Sequence, residues 1–327
     1  MKLAAVSFVL LAGLLTASAQ NALSKLERTR LFGGEYVRLA DWARSYGFHL
    51  SAARSKDEVL LTNAGSRLVF AVDSHRAEIN GVTVLLSAPV AARNGTVFIA
   101  LLDLQTAIHP VLFPEKSAVS APIMSVCLDP GHGGKDPGNE EGRRQEKEYT
   151  LMLAREVRER LVAAGLKTTL TRSGDSFVPL SDRPEIARQR DADLFVSLHF
   201  NAAIAEKDVV QGVEVYCLTP PGASSTNARG DSADTGMLTG NRFDSKNMLL
   251  AYQIQKAIVK TLPAEDRGVK RARFAVLRTA RVPAVLIEAG FMSHPVESKN
   301  IFNAEYRQRL ARAIAEGILA YKRLEER

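Results

Sequence analysis

Two histidines and a glutamate stand at the ends of three apolar, strand-like runs. They are His132 in SVCLDPGHGGKDPG (125–138), His199 in DLFVSLHFNA (193–202) and Glu288 in PAVLIEAGF (283–291). Imidazoles and carboxylates at the ends of buried strands are costly unless they are paired or bound to a metal. In open α/β sheets such strand ends are where ligands and catalysts gather. Two neutral imidazoles converging on one point suit zinc, which takes nitrogen and carboxylate donors in a tetrahedral shell and keeps one position open at catalytic sites. A third protein donor is then required. Glu146, at the start of the next helical pattern, is the best placed, with Glu140, Glu141 and Glu148 as competitors. A glutamate in a first helical turn also complements the helix dipole with no metal at all, so the residues alone leave this choice open.

Glu288 is of a different kind. It follows Ala284-Val285-Leu286-Ile287, a run with the composition of a strand buried on both faces. A carboxylate there must be neutralised, hydrogen-bonded or close to a metal. Its chemical use would be to take a proton from an attacking water and return it to a leaving amine. The alternative is a buried ion pair with an arginine such as Arg278. Asn201, just beyond His199, is a candidate for orienting substrate. His49, His75 and His109 lack ligand-like spacing and read as packing or surface residues. His294, in the polar stretch SHPVE, is a weaker candidate for contact around the site.

The elements that must position these residues fall into two textures. From 27 to 114 short strand-like runs dominate (EVLLTN, SRLVFAV, EINGVTVLL, GTVFIAL), with Asn80-Gly81 as a hairpin turn. YVRLADWARSYG and VFIALLDLQTAIH both run from a strand into a helix, so this segment reads as a small α+β module. EKSAVSA (115–121) is small and polar, a linker. From 122 to 327 strands and helices alternate in α/β fashion. A helix is expected over 148–164, with Leu151, Ala154, Val157 and Leu161 on one face and Gly165 as its stop. KTTLTR, LFVSLHF, GVEVYCL, FAVLR and AVLIEAG are expected strands, and Ser181 or Asp182 caps a short helix with Pro184 in its first turn. Helices over 249–262 and 304–322 follow, the last repeating Leu310, Ile314 and Ile318. Thr219–Asn247 is rich in Gly, Ser, Thr, Asn and Pro with no apolar period, and reads as a long mobile loop or a lid.

The chain opens MKLAAVSFVLLAGLLTASAQ: one cation, an apolar run from Leu3 to Leu15, and the small-residue site Ala17-Ser18-Ala19. That is the layout of a secretory signal peptide over 1–19, too short to be a spanning helix. No later stretch is apolar enough to cross a bilayer, so an exported, non-membrane-spanning protein is expected. The formal charge of +7 falls by one when Lys2 leaves with the leader. That mild excess suits a polyanionic cell wall, and no nucleic-acid partner is expected. Cys127 and Cys217 lie in apolar runs and read as buried thiols, although an oxidising compartment would permit a disulfide.

From about Ser125 to Leu319 the chain resembles the zinc-dependent N-acetylmuramoyl-L-alanine amidases of the amidase type 3 family. The resemblance rests on LDPGHGGKDPG (128–138), EKEYTLMLA (146–154), TLTRSGD (169–175), LSDRPEIARQRDADLFVSLHFNA (180–202), GVKRARFAVLR (268–278) and VPAVLIEAGFMSH (282–294). It implies a mixed, mostly parallel sheet flanked by helices. It implies one zinc ion per chain on His132, Glu146 and His199, which selects Glu146 among the glutamates, and Glu288 as the catalytic carboxylate. The implied reaction is hydrolysis of the peptidoglycan amide between the lactyl group of N-acetylmuramic acid and L-alanine of the stem peptide. The rivals are a zinc peptidase or deacetylase acting on another wall amide, and a non-catalytic wall-binding or regulatory protein. His294 stands where the family more often has asparagine. Some members carry an inserted helix that blocks the metal until an activator protein displaces it; the aperiodic 219–247 stretch does not imply that here. The N-terminal module resembles, more loosely, the stalk domain named from copper amine oxidases, which implies wall or partner binding and no copper site. With no recognisable wall-binding repeats, the periplasm is expected rather than the outer medium.

Overall fold

The computed structural model describes residues 23–52, 57–115, 121–226 and 236–326. The expected leader, most of the linker and part of the 219–247 stretch lie outside them. The described residues fall into two compact units, one before Pro122 and one over Pro122–Arg323. None of their helices is long and apolar enough to cross a membrane.

The first unit is a small module of antiparallel strands and short helices. Strands Glu58–Thr62, Arg67–Ala71, Ser74–Ile79 and Val82–Arg93 pair in succession. Asn80 and Gly81 both take positive φ, as a two-residue hairpin turn requires. The expected strand-to-helix units form: Gly34–Arg38 leads into a helix over Leu39–Ser45, and Thr96–Ala100 into helical turns from Leu101. Trp42 is fully buried and gives its indole N–H to His109 Nε2 at 3.0 Å, within a cluster of Tyr46, Phe48 and Phe113.

In the second unit the strands are β1 (Ser125–Pro130), β2 (Lys167–Leu170), β3 (Leu194–Asn201), β4 (Val213–Leu218), β5 (Asp266–Ala272) and β6 (Ala284–Phe291). They lie in the order β2-β1-β3-β6-β4-β5. All neighbours run parallel except β4 and β6. The sheet is therefore mixed and mostly parallel, and its central strands are apolar because helices cover both faces. Helices α1 (Glu146–Ala163), α2 (Asp182–Gln189), α3 (Asp244–Thr261), α4 (Ala275–Arg278), α5 (Pro295–Phe302) and α6 (Ala304–Glu325) flank it. The chain passes from β1 to one side through α1 and β2, then returns through α2 to β3 on the other side. That reversal opens a crevice between the carboxyl ends of β1 and β3, where such sheets bind ligands.

Three expectations change. FAVLR is not a strand: α4 occupies it, and the strand is the preceding DRGVKRA. A four-residue apolar run fits either element, and Val276 and Leu277 are buried from a single helical turn. Among the described residues of the 219–247 stretch, Thr239–Phe243 forms a 3₁₀ turn that runs directly into α3. Asn241 ties it down by donating to the Thr219 carbonyl and the Asp244 carboxylate. In α1, Leu153 rather than Leu151 joins Ala154, Val157 and Leu161 in the core, and the helix starts two residues early, at Glu146. Both thiols are free and buried.

Candidate metal centre

The turn that follows β1 is built for close approach. A Cβ on Gly131 would lie 2.2 Å from the His199 ring, so glycine alone lets the ends of β1 and β3 converge. The next residue, His132, takes φ +61, a left-handed conformation that costs energy in a residue with a Cβ. Two buried guanidiniums hold this backbone. Arg172 donates to the carbonyls of Pro130 (3.0 Å) and Gly131 (2.8 Å); Arg183 donates to those of Pro130 (3.0 Å) and His132 (2.9 Å). Arg183 is itself neutralised by Asp129 at 2.8 Å, whose other oxygen accepts from Ser197 on β3. Each of the three turn carbonyls therefore has a charged donor, which compensates the strain.

Three donors meet beside this turn. His132 Nε2 and His199 Nδ1 are 3.2 Å apart, and Glu146 offers Oε2 to the former at 3.1 Å and Oε1 to the latter at 3.0 Å. A tetrahedral zinc shell with arms of about 2.0–2.1 Å has edges of about 3.3–3.4 Å. The two nitrogens stand close to that spacing, while Glu146 places one oxygen beside each ring. Glu146 is buried, and its carboxylate is oriented by the backbone N–H groups of Asn139 (2.9 Å) and Phe200 (3.0 Å) and the Asn139 amide (3.0 Å). Gly138 is necessary here as well: a Cβ would meet the His132 ring at 2.6 Å and Glu146 Oε2 at 2.7 Å.

The second ring nitrogen of His132 fixes its tautomer. Nδ1 lies 2.9 Å from the Asp136 carboxylate, so it carries the proton and leaves the Nε2 lone pair for the centre. Burial alone would lower the proton affinity of His132, but the carboxylates of Glu146 and Asp136 outweigh it and raise that affinity. Both anions favour positive charge where the donors meet, which a dication would supply. Two imidazole nitrogens and one oriented carboxylate, with donor atoms within 4.8 Å of one another, fit zinc by donor type.

Glu288 lies opposite His199 across β3 and β6, and Glu214 lies opposite Glu288 on the other side. The three side chains form one row across the sheet. Glu288 Oε2 is buried without a hydrogen-bond partner. Burial, then the negative charges of Glu146 and Glu214, push its carboxyl well above the usual range, with Lys270 pulling the other way. Arg278 is exposed and gives Glu288 no buried ion pair. Glu214, in contrast, is held ionised: it pairs with Lys270 and with Arg267 at 3.0 Å, and accepts from Tyr216 at 3.0 Å.

Asn201 spends its side chain internally, donating to Glu214 Oε1 at 2.9 Å and accepting from the Ala202 N–H at 2.8 Å. His294 caps α5 by accepting from the N–H groups of Val296 and Glu297, and lies 3.1 Å from the Asp208 carbonyl. Of the competing glutamates, Glu140, Glu141 and Glu148 are exposed. Sequence reasoning missed Asp136, Asn139, Glu214 and Lys270. Asp136 lay in plain view four residues after His132, in the KDPG that follows the glycines. Glu214 and Lys270 sit in runs read only as strands, where a charged residue amid apolar neighbours was the available signal.

Comparison with known proteins bears on this geometry. The profile of the Amidase_3 family, described as N-acetylmuramoyl-L-alanine amidase, matches residues 126–320. The N-acetylmuramoyl-L-alanine amidase AmiA of Escherichia coli is 37% identical over 222 residues, spanning 60% of this chain and 75% of that protein. Among solved structures, AmiC2 of Nostoc punctiforme, an N-acetylmuramoyl-L-alanine amidase, superposes with a TM-score of 0.51 at 32% identity, covering 62% of this chain and 98% of that one. The CwlD amidase of Clostridioides difficile, solved in complex with the GerS lipoprotein, gives 0.51 at 26% identity, covering 62% and 99%.

Proposed function

We propose, from the premise that the chain belongs to the N-acetylmuramoyl-L-alanine amidase family and is a peptidoglycan amidase, that it cuts the lactyl–L-alanine bond using one zinc ion held by His132, Glu146 and His199, with Glu288 as the proton-transfer group. The observation that carries this reading is the meeting of three donors, all within 4.8 Å of one another, beside a buried carboxylate oxygen with no partner.

Zinc at such a centre polarises a carbonyl and lowers the pKa of water. The chain's own residues do the rest. His132 is held in one tautomer by Asp136, and Glu146 in one orientation by Asn139 and Phe200. Glu288, one strand from His199, accepts the proton of the attacking water at Oε2 and passes it to the departing L-alanine nitrogen. Its buried Oε2, which has no other hydrogen-bond partner, is open to hold that proton in between. Asn201, held by Glu214 and the Ala202 N–H, keeps a second amide hydrogen and a second oxygen lone pair with which it would orient substrate.

Residues 1–19 as an export leader fit a substrate outside the cytoplasm, and the periplasm is the proposed location. The first unit is proposed as a stalk-like, non-catalytic module for wall or partner binding. A protein activator is a further proposed partner; the CwlD structure is of an amidase in complex with a lipoprotein.

The test is to incubate the zinc-loaded protein with purified peptidoglycan and identify the soluble products by mass spectrometry. Stem peptides beginning at L-alanine, with glycan that keeps its lactyl groups, are expected. Cleavage at another wall amide would replace the bond assignment with the peptidase or deacetylase reading. Absence of any product from zinc-loaded protein would point to a missing activator or to the binding-protein reading.

A further inference from the structure

The loop after β2 is pinned residue by residue against the turn that carries His132. The Ser173 carbonyl accepts from Arg155 at 2.7 Å and the Gly174 carbonyl from Arg172 at 3.0 Å. Asp175 accepts the Gly134 N–H at 2.7 Å and pairs with Lys147 at 2.9 Å, while Lys147 also donates to the Gly134 carbonyl at 2.8 Å. The Ser176 carbonyl packs on Gly133, where a Cβ would approach it to 2.2 Å. The Phe177 backbone packs on Gly134, where a Cβ would lie 2.7 Å from its nitrogen. Arg183 then holds the Val178 carbonyl at 3.1 Å.

What this clamp presents to solvent is the ring of Phe177, 43% exposed, with the ammonium of exposed Lys135 4.6 Å from its centroid. Leu180, three residues on, is 56% exposed as well. A lone exposed phenylalanine on a loose loop needs no explanation. An aromatic face held rigidly next to a metal-carrying turn, on the edge of the sheet where β1, β2 and β3 all end, is a preorganised contact. Its chemistry is specific too. The Lys135 ammonium lies over one face of the ring; the opposite face attracts the C–H face of a pyranose, and the ammonium donates to hydroxyl or acetamido oxygens.

Resting on the peptidoglycan reading above, we infer that Phe177 and Lys135 form a saccharide subsite that binds the glycan strand beside the scissile amide. The subsite contributes affinity for glycan rather than chemistry. Its contribution is that of a single aromatic contact and scales with the presence of neighbouring sugars.

The experiment compares wild type, Phe177→Ala and Phe177→Tyr in two assays. The first is binding to peptide-stripped glycan strands, which hold no amide to cut. The second is hydrolysis of a muramoyl-peptide with one sugar and of one within a glycan chain. Phe177→Ala is expected to weaken strand binding roughly fivefold and to raise KM on the chain substrate by a similar factor. Its kcat, its zinc content and its rate on the single-sugar substrate stay unchanged, and Phe177→Tyr restores the loss. Unaltered strand binding by Phe177→Ala, or no strand binding by wild type, overturns the subsite. An equal loss on both substrates overturns it as well, since that outcome marks a displaced His132 turn. If wild type binds strands through Phe177 but cuts no amide, the subsite stands and the assigned reaction falls.

Discussion

His199 and Glu288 are register partners on adjacent parallel strands, so the second imidazole of the three-donor cluster and a carboxylate whose Oε2 has no hydrogen-bond partner stand side by side on one face of the sheet. No loop intervenes. Neighbouring strands lie about 4.8 Å apart, and that spacing sets the distance between the His199 imidazole and the Glu288 carboxylate. The pairing of β3 with β6 therefore fixes this relationship as firmly as it fixes the fold.

Glu288→Gln tests the proton-transfer role with almost no change of shape. Turnover should fall by about 10²–10⁴-fold, while zinc content measured by atomic absorption stays at one ion per chain. Near-normal turnover would remove Glu288 from the reaction.

Asp136→Asn removes the anion behind the first imidazole but keeps its shape. Zinc affinity should drop roughly 10–100-fold, read by competition with a chromogenic chelator, and excess zinc should recover much of the activity. Unchanged affinity would mean that His132 is oriented by its backbone alone.

Gly131→Ala places a methyl group inside the space of the His199 ring. The two histidines can then no longer meet, and overpacking of this kind costs about 1–3 kcal/mol. A lower melting temperature together with lost zinc is expected; a variant that keeps full zinc affinity would show that β3 can shift without cost.

In the first unit, burial lowers the pKa of His109 from 6.5 to about 4, and its Nε2 accepts from Trp42 only while neutral. The unfolded chain takes up this proton near its ordinary pKa and the folded chain does not. This contribution to stability is therefore complete above about pH 6.5 and lost as pH falls toward about 4. The loss amounts to about 2–3 kcal/mol by pH 4.5. Urea titrations at pH 7.5 and 4.5 should show it, and His109→Gln, which keeps an acceptor but does not titrate, should flatten the difference. An equally steep loss in that variant would place the pH dependence elsewhere.

How far the sequence could be read depended on the kind of signal. Helices α1 and α6 were legible because apolar side chains must recur on one face, and Leu310, Ile314 and Ile318 are indeed wholly buried. The Asn80-Gly81 turn was legible because few residues accept positive φ at both positions. FAVLR was not, since four apolar residues carry no period. Asn201 was singled out for its place after His199, yet its partners, Glu214 and the Ala202 N–H, emerge only from strand pairing and the turn beyond it.

The sequence by itself determined the chemistry available: imidazoles and carboxylates at strand ends, glycines where backbones must touch, and family motifs that span most of the second unit. Only the tertiary structure decided which groups meet. His199 on Glu146, and Glu214 with Lys270 and Arg267 beside Glu288, are relations between residues brought together by strand order and register. A chain's local preferences fix period and turn, but the energy of a buried charge depends on every group within a few ångströms. Those neighbours come from segments far apart in sequence.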